Sequence, residues 1–297
     1  MSTEDQQQRK QEKKAASPAS QVQKKEQPST YVVQDRQNEQ ELARLTIQYR
    51  LATTVMGGVL SEQPDPTAFD RVLDVACGTG GWLIEVAKTY PATLLIGVDI
   101  SNRMIDYARE QAVAQHVADR VEFHVMDALL MLEFPASFFD LVNMRFGLGF
   151  MRTWDWPKLL SEFLRVARPG GVVRVTDSIV GSQNNSPALM ELFAQLQYAL
   201  YRAGHLFTPE PAGLLDHLEK LLVQHGCKQV QVKEGKDAYG VGKELKKLCC
   251  TVNYALNEIT QLMQQHVALP LLFLASLWAK DDTGRCAMGV EFAGGIA

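Results

Sequence analysis

The sequence predicts an α/β domain built on a mostly parallel β-sheet with helices on both faces. Short apolar segments alternate with helical segments between residues 71 and 176. A glycine turn follows the first apolar segment, and an acidic residue stands at or near the end of each of the first three. This alternation is typical of strand–helix–strand units, in which crossover helices cover a parallel sheet.

The composition is that of a globular protein, and its charge limits the kinds of molecule that the protein is expected to bind. The chain has 297 residues, of which 46% are hydrophobic and 22% charged, with a net charge of -4. Such a charge provides no basic surface for phosphate backbones, so we expect a small-molecule partner and no nucleic acid. Five cysteines without metal-type spacing favour free thiols in the cytoplasm and no metal site. We expect no membrane-spanning segment. A homodimer is compatible with the sequence.

The first part of the chain is predicted to lie outside the main domain. Residues 1–29 are rich in Gln, Lys, Glu and Ser, and a segment with so few apolar groups is expected to be disordered. Residues 30–65 are expected to form a capping helix and a linker, with an amphipathic helix at Asp35–Gly57. We expect this helix to cover the ligand end of the sheet, with Tyr31 and Tyr49 near the ligand. Packing on the flank of the sheet is the alternative.

Residues 66–297 are expected to form the main domain. The predicted strands are Arg71–Ala76, Leu94–Asp99, Val121–Val125, Phe139–Met144 and Val172–Thr176, the last entered through a turn at Pro169-Gly170-Gly171. The predicted helices between them are Gly81–Tyr90, Asn102–Gln115 (with Ser101 as its N-cap) and Asp155–Ala167. Beyond them the pattern predicts helices at Pro187–Ala203, Pro211–His225 and Gly242–Gln265, and strands at Lys228–Val232 and Arg285–Ile296. Helical insertions therefore fall at about 185–210 and 241–280.

The strongest signal for a ligand is the run Val72-Leu73-Asp74-Val75-Ala76-Cys77-Gly78-Thr79-Gly80. Gly78 and Gly80 allow a tight turn and a close approach of ligand to backbone. The third glycine of a dinucleotide-binding loop would fall at Leu83, so the pattern that seats a pyrophosphate is incomplete. An acid at Asp74, within the strand, suits a cationic cofactor better than an anionic one.

Two further acids follow the second and third strands. Asp99 stands about twenty residues beyond the glycines, a position from which a carboxylate accepts hydrogen bonds from ribose hydroxyls. Ile100, the next residue, can lie flat against an adenine ring. Asp127 can accept a hydrogen bond from the adenine amino group. All these residues are expected at the carboxyl ends of parallel strands, where ligands bind in this architecture.

Taken in order, these motifs resemble those of class I S-adenosylmethionine-dependent methyltransferases. The resemblance is carried by Asp74-Val75-Ala76-Cys77-Gly78-Thr79-Gly80, Val98-Asp99-Ile100-Ser101, Asp127-Ala128, Phe139-Asp140-Leu141-Val142 and Arg168-Pro169-Gly170-Gly171. It extends over roughly Arg71 to Asp177 and is broadest with the small-molecule enzymes that include the ubiquinone/menaquinone C-methyltransferases. Val175-Thr176-Asp177-Ser178 departs from the Leu-Glu-Phe-type run of those quinone enzymes, which argues against a quinone acceptor.

The resemblance implies a Rossmann-like sheet of seven strands whose last strand is antiparallel, a role that Arg285–Ile296 could fill. It implies S-adenosylmethionine as cofactor, with the glycines beside its methionine moiety, Asp99 at the ribose, Asp127 at the adenine and Asn143 facing the sulfonium. The full set of expected cofactor-binding residues is Asp74, Ala76, Gly78, Gly80, Asp99, Ile100, Asp127, Ala128 and Asn143.

The sequence features expected to contact the methyl acceptor are less specific than the cofactor motifs. The loop Arg145–Met151 is apolar and hinged by glycines, and it could line a pocket for an apolar or aromatic acceptor. The later helices could form a lid or a dimer surface. His205 and Asp177 are the candidates for a general base, although a sulfonium is already activated and positioning alone can accelerate the transfer.

The sequence therefore predicts methyl transfer from S-adenosylmethionine to a small acceptor. An NAD(P)-dependent oxidoreductase and a non-catalytic S-adenosylmethionine-binding regulator are the alternatives.

Overall fold

The computed structural model describes residues 39–178, 187–233, 279–280 and 286–287. Its central feature is a five-stranded sheet in the order β3-β2-β1-β4-β5, in which every neighbouring pair is parallel. The strands are β1 (Arg71–Val75), β2 (Leu94–Asp99), β3 (Val121–Val125), β4 (Phe139–Arg145) and β5 (Ala167–Thr176). The predicted α/β class with a parallel sheet is confirmed.

Six α-helices lie within the described ranges. They are α1 (Glu39–Val55), α2 (Gly81–Thr89), α3 (Asn102–Ala114), α4 (Trp156–Val166), α5 (Pro187–Arg202) and α6 (Leu215–Gln224), with short 3₁₀ turns at Pro66–Ala68 and Gly147–Gly149. The Ser101 side chain caps α3 by accepting a hydrogen bond from the Met104 amide, as predicted. Of the helices in this part of the chain, none is long and apolar enough to span a membrane.

Apolar cores on both faces of the sheet fix the helices in place. Successive side chains of a strand point to opposite faces, so Val72 packs against α2 and α3 while Leu73 packs towards α4 and α6. The first core includes the buried Trp82, and the second includes the buried Trp156. Burial on both faces explains why β2 is apolar up to Asp99, whereas the edge strand β3 alternates buried and exposed side chains over its first residues.

Two sequence-based predictions about the sheet are wrong within the described residues. Five strands, not seven, form the sheet there. Residues Lys228–Val232 alternate polar and apolar side chains but do not form a strand, because Gln229 takes a left-handed φ of 56° that interrupts extended backbone. At the predicted last strand, β7 (Cys286–Ala287) pairs antiparallel with β6 (Ala279–Lys280) in a separate two-stranded sheet. The rest of Arg285–Ile296 lies outside the described residues.

The predicted start of the fifth strand is also wrong, because β5 begins at Ala167 rather than Val172. The residues of the predicted turn, Pro169-Gly170-Gly171, lie inside β5 but between its paired residues Ala167 and Val172, so the chain turns there as predicted. Gly170 has a φ of 79°, and the register between β4 and β5 shifts between Phe139 and Leu141, as in a β-bulge. The predicted tail 1–29, Tyr31 and the helix Gly242–Gln265 lie outside the described residues.

The strand order indicates where a ligand-binding site is expected. Connections from β1 and β4 run to opposite faces, so the order reverses between these two strands and leaves a crevice at their carboxyl ends. This is where ligands bind in open α/β sheets.

Candidate functional site

The glycine loop connects β1 to α2 at this crevice. Gly78 and Gly80 have φ values of 53° and 70°, and Ala76 takes φ 55° without being glycine. A Cβ at Gly80 would lie 2.7 Å from the Phe123 ring, so packing excludes a side chain there. A Cβ at Gly78 would meet no described atom within 4 Å. Gly78 therefore borders open space, as a residue lining a ligand site does.

Asp99 ties this loop to the second strand. Its Oδ2 accepts a hydrogen bond from the Gly78 amide at 2.9 Å, and its Oδ1 accepts one from the Ser101 amide at 2.9 Å. A carboxylate oxygen can accept more than one hydrogen bond, so these two contacts do not by themselves exclude a ligand. The Asp99 carboxylate therefore holds the glycine turn in place through the Gly78 amide.

The third acid lies at the end of the neighbouring strand. Asp127 follows β3, and its Oδ1 accepts a hydrogen bond from the Leu129 amide at 2.9 Å, which fixes an Asx turn. The Met126 amide donates to the Asp99 carbonyl, which links the segments after β2 and β3. Ala128 packs against the core, and Ile100, the residue after Asp99, is partly buried. The carboxyl ends of three adjacent strands therefore carry the predicted residues side by side.

A row of polar side chains crosses three strands below the loop. Asp74, Asn143 and Arg174 are register partners on β1, β4 and β5. Asn143 Nδ2 donates to Asp74 Oδ1 at 2.6 Å, and Arg174 donates to Asn143 Oδ1 at 2.9 Å. Arg174 also donates to Glu62 at 2.7 Å. Because each group has a partner, this row can hold charge inside an apolar sheet.

Burial controls the protonation of the carboxylate at the end of this row. Asp74 is 3% exposed, and its burial raises the pKa to about 6, against the opposing effects of the Arg145 charge and the Asn143 hydrogen bond. A group with this pKa gains negative charge readily when a cation is brought beside it.

Helix α1 lies against the glycine loop. The Tyr49 ring covers Gly81, where a Cβ would collide with it, and Thr53 accepts a hydrogen bond from Arg145 at 3.4 Å. A capping role for the segment 30–65 stays a prediction, but its helix does meet the first turn of α2 at Tyr49.

The two candidate bases lie in different environments. Asp177, at the end of β5, accepts hydrogen bonds from the Leu148 and Ser178 amides at 2.9 Å. Burial raises the pKa of Asp177 to about 7, although these amides and that of Gly147 oppose the shift. His205 is 0% exposed, packed in the core beyond α5. The site therefore brings Asp177 to the same sheet edge as the acids but leaves His205 away from open space.

Sequence reasoning missed the two arginines and Glu62. Arg174 is a lone charge in the apolar run Val172–Val175, the same signal that marked Asp74. Arg145 stands two residues after Asn143 and therefore faces the same side of the sheet. Glu62 carried no local signal, because its partner Arg174 is 112 residues away in the sequence.

Comparisons with known proteins match part of this chain to methyltransferases. A family model described as a methyltransferase domain matches residues 72–171. A demethylmenaquinone methyltransferase of Deinococcus radiodurans is 35% identical over 138 residues, which cover 46% of this chain and 54% of that protein. A ubiquinone/menaquinone biosynthesis C-methyltransferase of Geobacter sulfurreducens is 37% identical over 102 residues, or 34% of this chain and 39% of that protein. The chain thus spans about half the length of these relatives or less.

Solved structures show the same fold. An O-methyltransferase family protein from Burkholderia thailandensis is 18% identical, with a TM-score of 0.51, covering 68% of this chain and 58% of that one. Phosphoethanolamine N-methyltransferase 2 of Haemonchus contortus, in complex with S-adenosyl-L-methionine, is 22% identical, with a TM-score of 0.50, covering 82% of this chain and 51% of that one.

Proposed function

We propose that this chain, whose residues 72–171 match a methyltransferase-domain family, transfers the methyl group of S-adenosylmethionine to a small apolar or aromatic acceptor. The observation that carries the proposal is the set of polar groups at the carboxyl ends of four adjacent strands, gathered round a glycine loop. Asp74, Asp99, Asp127 and Asn143 form this set. The matches to methyltransferases do not favour an NAD(P)-dependent oxidoreductase.

The residues present fit this cofactor. The open space at Gly78 would admit the methionine moiety, with Ala76 and Gly80 in the turn beside it. Asp99, the last residue of β2, would accept hydrogen bonds from the ribose hydroxyls, and Ile100 follows it in the chain. When bound, S-adenosylmethionine supplies a methyl group already activated by a sulfonium.

The remaining cofactor contacts follow from the strand ends. Asp127 and Ala128 would meet the adenine, because they follow β3 next to Asp99. Asp74 and Asn143 would lie beneath the sulfonium, where a carboxylate that ionises near neutral pH complements a positive charge.

The acceptor is proposed to lie against the loop that follows β4. Leu148 and Phe150 in this loop are partly buried against the core, which gives the loop an apolar wall. Asp177 fixes the loop through the Leu148 amide and is the better placed of the two candidate bases. Because Asp177 anchors the loop that would hold the acceptor, its proposed contribution is chiefly to positioning, and alignment of acceptor and methyl group supplies much of the acceleration.

The proposal is tested by following a labelled methyl group. Purified protein is incubated with S-adenosylmethionine labelled in the methyl group and a panel of phenols, hydroquinones and anilines, with Asp99→Ala as the inactive control. We expect label in an organic-soluble product that depends on the wild-type chain. Cofactor binding without transfer to any small molecule would instead favour a non-catalytic regulator. Label appearing in added protein or nucleic acid would contradict a small acceptor.

A further inference from the structure

Arg145 is a cation with few partners at the carboxyl end of β4. Within residues 39–178 and 187–233, its guanidinium makes one hydrogen bond, the 3.4 Å contact with Thr53 Oγ1. Aromatic rings surround it: its central carbon lies 5.9 Å from the ring centre of Tyr49 and 5.7 Å from those of Trp82 and Phe146. A guanidinium has five N–H donors, so most of the donors of Arg145 are left over.

Among the described residues, none of the neighbouring acids accepts a hydrogen bond from Arg145, although the effect of burial on its pKa is opposed by the charges of Asp74 and Glu85, which raise it. Glu62 is paired with Arg174 at 2.7 and 3.4 Å, and Asp74 accepts from Asn143 at 2.6 Å. Arg174 is the natural comparison for Arg145. It lies on the next strand, 5.6 Å from the centre of the same Trp82 ring, but it donates hydrogen bonds to Glu62 and Asn143. Burial lowers the pKa of Arg145 to about 10, so it stays charged at neutral pH. An anion that paired with it would offset the cost of burying this charge.

The first turn of α2 also lies beside Arg145 and favours an anion there. Its N-cap is Gly80, which has no side chain to accept hydrogen bonds from the first amides of the helix. Trp82 in this turn is one of the rings around Arg145, and Tyr49, another of them, covers Gly81. The N-terminal end of a helix carries partial positive charge, which adds to that of the guanidinium.

We propose that Arg145 binds the carboxylate of the methionine moiety of the cofactor. This inference rests on the proposed function and assigns one end of the same ligand. A planar guanidinium matches a carboxylate in two parallel hydrogen bonds, which a lysine cannot make. The cofactor is favoured over an anionic acceptor as the source of the carboxylate, because Arg145 lies beside the first turn of α2, which directly follows the glycine loop.

The test compares two ligands that differ only in the carboxylate. S-adenosylhomocysteine and S-(5′-deoxyadenosyl)-3-thiopropylamine, which keeps the amine, are titrated calorimetrically into the wild type, Arg145→Met and Arg145→Lys. Arg152→Met is the matched control, because Arg152 is also partly buried but donates to the Ala203 carbonyl away from the site. We expect Arg145→Met to weaken S-adenosylhomocysteine binding roughly tenfold and leave binding of the amine analogue nearly unchanged. Arg145→Lys should recover part of the loss, and Arg152→Met should change neither affinity.

Other outcomes would overturn the inference. An equal loss for both ligands would show that Arg145 only shapes the site, and no loss for either would place the carboxylate elsewhere. In the presence of saturating S-adenosylhomocysteine, benzoate serves as a probe for an anionic acceptor. Suppose that Arg145→Met abolishes benzoate binding but leaves the affinity for S-adenosylhomocysteine unchanged. Arg145 would then belong to the acceptor site and not to the cofactor site. A wild type that binds neither nucleoside would contradict the proposed function itself, a result distinct from all of these.

Discussion

Replacing Asp99 by alanine should weaken binding of S-adenosylhomocysteine by roughly a hundredfold, because charge-assisted hydrogen bonds are worth about 1.5–3 kcal/mol each. The substitution removes the acceptor proposed for the ribose hydroxyls. It also removes the oxygens that accept from the Gly78 and Ser101 amides, so the glycine loop loses its tie to β2. Calorimetric titration measures the effect, with melting curves to establish that the variant is folded.

Asp119→Ala is the control for this loss, because Asp119 precedes β3 and its side chain is 71% exposed. It should bind S-adenosylhomocysteine as the wild type does. Asp99→Asn should fall between wild type and alanine, since it keeps one oxygen acceptor. Unchanged affinity in Asp99→Ala would remove this residue from the site.

Replacing Asp74 by asparagine should change how stability depends on pH. The pKa of Asp74 rises from 3.8 to about 6 in the folded protein because the carboxyl group is buried. The folded state therefore holds this proton more tightly than the unfolded state, so the group's contribution to the free energy of unfolding falls as pH rises from about 4 to 6. Two units of pKa correspond to at most about 3 kcal/mol. Asp74→Asn cannot titrate and should lack this part of the pH dependence.

Urea unfolding at pH 4, 5, 6 and 7 measures this difference. The free energy of unfolding of the wild type relative to Asp74→Asn should drop over that interval and level off above the folded pKa. Asp119→Asn, at an exposed position, should follow the wild-type curve. Parallel curves for wild type and Asp74→Asn would show that Asp74 is ionised throughout and that its partners outweigh its burial.

The sequence predicts most strand positions well, because these strands are short segments rich in apolar and β-branched residues between helical segments. Strands β2 and β3 have the predicted bounds, and β1 and β4 differ by one residue at one end. The exception is β5, which starts at Ala167 rather than Val172. Its first residues include Pro169 and Gly170, which form the predicted irregularity but lie within the strand, because Ala167 already pairs with Phe139 of β4.

Pairing across long sequence distances accounts for what the sequence could not predict. The segment Lys228–Val232 has a strand-like pattern, but a strand also needs extended backbone beside a sheet edge, and Gln229 does not have it. In the candidate site, the acids could be predicted because each lies at or near the carboxyl end of a strand. The contacts of Arg145 with Thr53 and of Arg174 with Glu62 could not, since only the folded chain brings α1 and its following loop onto β4 and β5.

The central claim is that this site binds S-adenosylmethionine, and the most direct test is the melting temperature of the protein with S-adenosylhomocysteine or with NADH. A ligand that binds only the folded state stabilises it by about 2.7 kcal/mol at a hundredfold excess over Kd. S-adenosylhomocysteine should therefore raise the melting temperature by several degrees, and NADH should leave it unchanged. A shift with NADH and none with S-adenosylhomocysteine would contradict the assignment of the cofactor.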